Sequence, residues 1–444
     1  MTVRNVITGL ATNVLLATTL MVGSVSIAYA TPAAAQTPQR TDTIVRQAGR
    51  PQYPNGGTLV PELSIGVADG PQELMFGSVG DILETRDGSI LVVDGQAFAI
   101  RQYDAKGAYV RTLGRKGQGP GEYTRPGKLA ELPDGRILLV DGGNVRVNVY
   151  SRDGTSVDTW RLSAAGGNVA SSRITVDSTG TAIIPVYAFG GGITEGSRVL
   201  RLAPDGRMLD TIPAPVFAYT RPTADVTAPK MTATAAIPFF PMADWAWSPL
   251  GYMVTWLPNR YAFELRVPRA RAPSSSAAIP AMRYRGPTPS WSPSDPVISI
   301  RHSVPPVTVS DEQRSVERAG VEAILRNADP TWRYTGPDIP RIKPPYKRLR
   351  VGEDGTFWVH LSMPGERYTP DPPASGSPAA SGPVLPRWRE PAVYDVFEPD
   401  GRYLGRVSMA SNVTVLRLTR DKVWGTATDD DDVAIVKRFR IDWR

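Results

Sequence analysis

Hydrophobic and polar positions along this chain repeat as a block. Residues 82–94 (ILETRDGSILVVD) and 129–141 (LAELPDGRILLVD) superimpose without gaps. In each, an alternating segment meets an Asp-Gly pair and then a continuous apolar run. The alternation predicts a strand buried on one face, and the run predicts a strand buried on both. The Asp-Gly pair supplies the positive φ of a tight connection. A Tyr follows each glycine by fifteen residues (Tyr103, Tyr150), and a second turn glycine lies four further on (Gly107, Gly154). One unit therefore reads as four antiparallel strands with a period of 47 residues.

Carried onward, the same ruler finds turn positions at Gly180, Gly251, Gly355 and Lys422, each with an apolar residue six positions earlier: Ile174, Trp245, Leu349 and Leu416. Asp205-Gly206 and Asp400-Gly401 repeat the second turn. Six such units predict an all-β protein, a six-bladed β-propeller of four-stranded antiparallel blades. The last unit, residues 413–443, holds barely three strands, so the stretch at 58–67 (TLVPELSIGV) is expected to close it, despite the edge-favouring Pro61.

Residues 87–94 (DGSILVVD), 103–107 (YDAKG) and 114–123 (GRKGQGPGEY) resemble the NHL-type six-bladed propellers, in particular their exported bacterial branch. The resemblance is strongest over 76–160, weaker over 345–443 and weakest between. It implies a fold and leaves the ligand open, because that family serves many partners.

Turn-to-turn spacings of 47, 45, 71, 104 and 67 residues locate the surplus at about 212–240, 268–345 and 362–391. The first two read as links between blades 3–4 and 4–5, and the third as the second loop of blade 5. Those connections open on one side of a meander, which makes that side the functional face. Residues 310–327 predict a helix between blades 4 and 5. Ser310 and Gln313 form a capping box, and Val316, Ala319, Ala323 and Ile324 fall on one side. Residues 371–386 read as a flexible Pro/Ala/Ser loop.

Composition adds location. Residues 1–36 read as a signal peptide: Arg4 precedes an apolar stretch that ends in two Ala-x-Ala-like sites. Residues 37–57 follow as a flexible linker, and residues 58–444 form the propeller. No other long apolar segment suggests a membrane span. The expected place is the periplasm, outer envelope or exterior. Zero Cys excludes disulfides and thiolate sites, and two His cannot build a three-His zinc centre. The net charge of +7 comes from 42 Arg and eight Lys without a basic run, which argues against nucleic acid.

For chemistry, the glycines at 114–121 lack the strand-loop-helix setting of a phosphate loop, and Asp429 to Asp432 read as a solvated hairpin tip. His302 and His360 are candidates for acid and base. The ligand-binding candidates are Arg260, Tyr261, Trp332, Tyr334, Lys343, Tyr346, His360, Arg387 and Trp388, because Trp, Tyr and Arg dominate interface energetics. Trp245 aligns with core positions Ile82 and Leu129. No cofactor is identified. The expected protein is a monomer that engages a protein or small ligand by its decorated face. The alternatives are a propeller lyase or hydrolase, with a divalent metal held by carboxylates and amides, and an envelope protein binding anionic glycan.

Overall fold

Nine turn glycines share one backbone state. Gly88, Gly135, Gly180, Gly251 and Gly355 in the first turns, and Gly107, Gly154, Gly206 and Gly401 in the second, all lie between φ +82° and +89°. Residues with a Cβ rarely adopt that region. The aspartates beside them fix the turn. Asp87 Oδ1 accepts from Thr85 Oγ1 at 2.6 Å and from the Ser89 amide at 3.0 Å, and Asp104, Asp153 and Asp400 each accept from the amide two residues on. Gly251 lacks the aspartate; there Ser248 Oγ accepts from the Leu250 amide.

The computed structural model describes residues 43–162, 169, 173–187, 197–228, 231–266, 297–370, 386–428 and 433–444. Blade 1 is Val79–Glu84, Ile90–Asp94, Ala99–Tyr103 and Tyr109–Leu113. Blade 2 is Pro126–Glu131, Ile137–Asp141, Arg146–Tyr150 and Ser156–Arg161. Blade 3 is Thr175–Val176, Ala182–Val186, Arg198–Leu202 and Met208–Pro213. Blade 4 is Asp244–Ser248, Tyr252–Trp256, Ala262–Arg266 and Val297–Arg301. Blade 5 is Tyr346–Val351, Phe357–Leu361, Ala392–Phe397 and Tyr403–Met409. In blade 6, Val413–Leu418, Lys422–Thr428 and Ala434–Trp443 are joined by Gly57–Ile65 from the other end of the chain.

Buried apolar clusters fill each gap between neighbouring blades and close the ring. Leu91 and Ile100 meet Leu129 and Leu139 between blades 1 and 2. Val140 and Val149 meet Ile174 and Ile184 between 2 and 3. Val199 meets Trp245 and Trp247 between 3 and 4. Val254 and Phe263 meet Val359 and Phe397 between 4 and 5. Trp358 and Val396 meet Val423 and Phe439 between 5 and 6. Trp424 and Val436 meet Ile82 and Val92 between 6 and 1.

Three expectations need correction. Part of the 37–57 linker is structured: Thr43–Gln47 pairs in parallel with Val297–Arg301, as a fifth strand on blade 4. The chain then crosses the edge of blade 5, where Gln52 and Tyr53 amides donate to Tyr403 and Leu404 carbonyls. Open sheet edges attract any extended segment with free backbone groups. The 268–345 stretch is not one link, because Val297–Arg301 is the outer strand of blade 4. The expected single insertion is therefore divided by this strand, and only residues 302–345 lie between blades 4 and 5.

The third correction concerns the helix, α1, at Asp311–Arg326. Ser310 Oγ caps it by accepting from the Gln313 amide at 3.1 Å. Its buried face is Gln313, Val321 and Leu325, while Ile324 is 53% exposed. The reason is its partner. A hairpin of Thr223–Ala228 and Met231–Ala236, from the blade 3–4 link, presents Ala224, Val226 and Ala235 to Val321 and Leu325. Helix and hairpin thus share a core separate from the blades, a collar joined to blade 5's second loop by the Arg367–Glu312 ion pair.

The proposed signal peptide, the Asp429 to Asp432 run and residues 371–385 lie outside the described residues. Among the described residues, no helix is long and apolar enough to cross a membrane.

Candidate functional site

Seven residues before the first-turn glycine of blades 1 to 5 stand Asp81, Lys128, Arg173, Asp244 and Arg348. Blade 6 has Val415 at that position, but Arg417 follows two residues later. All belong to, or directly precede, the innermost strand of a blade. A charged residue beside a buried apolar one is what a strand shows when one face lines a water-filled channel.

Arg417 organises one wall. Its Nε donates to Asp81 Oδ1 at 3.1 Å and its Nη2 to Asp81 Oδ2 at 2.5 Å, while Nη1 is paired with Glu353. Nη2 also donates to the Leu129 carbonyl at 2.7 Å. Lys128 Nζ donates to the Gly80 carbonyl at 2.6 Å and lies 3.7 Å from Asp81 Oδ1. Arg350 donates to the Val415 and Leu416 carbonyls at 2.7 and 2.5 Å. These bonds stitch blades 5, 6, 1 and 2 around the axis.

Arg173 has no hydrogen bond or ion pair among the described residues, and its side chain is exposed. It nevertheless interacts with Arg417, Asp81 and Glu353. Blades 3 and 6 are opposite each other in a six-membered ring, as are blades 2 and 5. The fields of Arg173 and Arg417, and of Lys128 and Arg350, can couple only across the axis.

The electrostatics follow from that crowding. Burial lowers the Lys128 pKa; Asp81 opposes the shift, and Arg417, Arg173 and Arg350 add to it. Burial and then Arg173 pull Arg350 down to about 9. The enclosing walls desolvate Arg173 and lower it too, with Arg417 contributing. Arg417 itself is raised, since Asp81 and Glu353 outweigh its burial. Burial pushes Asp244 up to about 6, against the Trp245 amide and Arg173. Tyr187, raised by burial and Asp244, completes that side.

The two histidines are not joined. Burial, Lys347 and Arg348 lower His360 to about 4. It stacks on Tyr394 at 4.6 Å, and among the described residues both its buried ring nitrogens lack a partner. His302 packs edge-on to Tyr261 beside Asp395, at the outer part of blades 4 and 5.

Most of the other residues singled out in the sequence tie the fold together. Tyr261 donates to Asp395 at 2.9 Å, and Tyr346 to the Ala262 carbonyl at 2.6 Å. Lys343 is buried, bonded to Glu390 at 2.8 Å. Trp332 belongs to the collar core, and Tyr334 beside it carries Arg318 over its ring at 4.6 Å. Arg260 and Arg387 are exposed, and Trp388 is half-buried in the ribbon of Glu366–Tyr368 and Arg387–Arg389. The glycine-rich stretch is a scaffold. A Cβ at Gly114 would meet the Gly121 carbonyl at 2.4 Å, and Arg146 donates to the Gln118, Gly119 and Glu122 carbonyls.

The channel charges were missed in the sequence although the signal lay one residue from the apolar marker that aligned the blades. Among the described residues, no three His, Asp or Glu are grouped as metal ligands would be. Both Asp81 oxygens and Glu353 Oε1 are engaged by Arg417.

Residues 70–165 match the family DUF5128, described as a six-bladed β-propeller. No curated protein sequence matches the chain. Among solved structures it is similar to a Bacteroides fragilis protein predicted to be exported, at 12% identity, covering 90% of this chain and 99% of that one with a TM-score of 0.45. It is also similar to a DUF4221 family member from Bacteroides vulgatus, at 10% identity, 88% and 99% coverage and a TM-score of 0.46. A third is virginiamycin B lyase from Staphylococcus aureus, at 8% identity, 87% and 94% coverage and a TM-score of 0.36. The matched family segment spans blades 1 and 2, and the strand order repeats their pattern through to blade 6: the chain is a six-bladed β-propeller.

Proposed function

We propose that this is an exported, monomeric binding propeller that takes a small anionic ligand in its central channel, entered from the collar side. One observation carries the reading. Lys128, Arg173, Arg348, Arg350 and Arg417 gather at the axis against Asp81, Asp244 and Glu353, and Arg417 occupies two of those three carboxylates. Like charges in a confined channel repel, and an anion with several oxygens relieves that repulsion while bridging opposite walls. Arginine also offers planar, bidentate donors that suit carboxylate and phosphate. A protein or anionic glycan is the alternative occupant of the same face.

Calorimetric titration with citrate and with inorganic pyrophosphate tests this. The expected result is saturable binding that weakens as salt rises and weakens at least ~10-fold in Arg173→Gln, about 1.4 kcal/mol. Binding unchanged by Arg173→Gln, or no saturation with either anion, rejects the reading.

One observation favours a second reading, a channel lyase or hydrolase. Asp244, titrating at about 6 beside Tyr187 and Arg173, is suited to proton transfer near neutral pH. A divalent metal that survives desalting, whose chelation abolishes turnover, would establish it.

A further inference from the structure

A second cavity, of about 960 Å3, opens at the periphery between the outer strands of blades 5 and 6 and the segment that crosses them. That volume is in the range of small-molecule sites. Its walls include Pro51, Tyr53, Pro54, Leu59, Pro61 and Phe439, and its polar side carries Arg406, His302 and Tyr403. The crossing segment, held by the Tyr403 and Leu404 carbonyls, is what turns an interblade crevice into an open-sided cleft.

Beneath the polar side lies Asp395, wholly buried on the third strand of blade 5. Its Oδ1 accepts from Tyr403 Oη at 2.8 Å and from Arg406 Nε at 3.0 Å, and its Oδ2 accepts from Tyr261 Oη at 2.9 Å. His302 Nε2 stands 4.0 Å from Oδ2. Arg406 is therefore oriented through Nε; its side chain is half-exposed, and no hydrogen bond among the described residues engages its terminal nitrogens. A guanidinium fixed by a buried carboxylate presents its remaining edge as a ready fork for two oxygens. Burial lowers the His302 pKa against the pull of Asp395, which disfavours a second positive charge beside Arg406.

We infer that this pocket binds a small aromatic or cyclic monocarboxylate, with its carboxylate on Arg406 and its ring against the proline and aromatic wall. One cation matches one anionic group, and the wall offers apolar area without further charge. The site is independent of the channel, sharing no residue with it.

The test uses 4-hydroxyphenylacetate and its neutral amide as probes, titrated into the full chain by calorimetry. The acid is expected to saturate and the amide to bind at least ~10-fold more weakly. Arg406→Gln should reproduce that loss, Arg406→Lys should lose part of it by keeping charge without the fork, and Arg173→Gln should leave it unchanged. If Arg406→Gln does not fold, Arg406→Lys decides alone. Equal affinity for acid and amide overturns the inference, as does no saturation by the acid. Loss in Arg173→Gln with retention in the Arg406 variants would place the carboxylate in the channel and overturn it as well.

Discussion

At the residue scale, Asp81 and Arg417 lie 336 positions apart in sequence yet meet through two parallel hydrogen bonds at the axis. Their pairing leaves Arg173 without a direct ion pair among the described residues, which is why the channel reads as a place for an anion. Two half-buried groups give the protein opposed responses to acid. Asp244 has a folded pKa of about 6, above its ordinary 3.8, so its stabilising effect is full below 3.8 and lost as pH rises through 6. His360 has a folded pKa of about 4, below its ordinary 6.5. Its contribution is full above 6.5 and lost as pH falls through 4. Asp244→Asn should raise stability above pH 6, by about 3 kcal/mol at most. His360→Phe, which keeps the stack on Tyr394, should flatten the loss on the acid side. Urea midpoints followed from about pH 4 to pH 7 separate the two; parallel curves for wild type and both variants would refute the assignment.

Elements in this fold are defined as much by what covers their edges as by their own pattern. The short strand Thr43–Gln47 is too brief to be told from a linker, and it gains order only from the free edge of Val297–Arg301. Gly57–Ile65 is different, because it supplies the outer strand of blade 6 and pairs along most of Ala434–Trp443. Deleting residues 1–50 should lower the melting temperature and leave a folded propeller. Deleting through residue 66 should abolish the cooperative melt, since Phe439 and Ile441 lose their cover. Circular dichroism melts of the two truncations check this, and equal behaviour would contradict it. The blades were legible because turn glycines and apolar runs are local signals. The collar was not: the buried face of α1 is set by the hairpin, whose first strand begins some ninety residues earlier, and helical periodicity alone selected Ala323 and Ile324 instead.

For the whole molecule, closure joins the two ends of the described chain in one ladder, with Thr58 opposite Asp442. The chain contains no cysteine, so an engineered bridge here has no competitor. Thr58→Cys with Asp442→Cys should form a disulfide under mild oxidation. It should stabilise by about 2–4 kcal/mol, because it closes a very long loop in the unfolded chain. A non-reducing gel and a melt with and without reductant measure both effects; failure to crosslink would mean this closing pair does not form. Six interblade cores of similar kind make such a ring stiff, and the axis is where side chains from opposite blades are forced together. By itself the sequence determined the blade, its period, the number of copies and the need for a closing strand, since turn glycines and apolar runs are local signals whose spacing can be counted along the chain. Only the tertiary structure decided that Lys128, Arg173, Arg350 and Arg417 share one channel and that Asp395 aims Arg406 into a separate pocket. Those groups are brought together by ring closure and by packing between blades, which no local pattern of apolar and polar residues records.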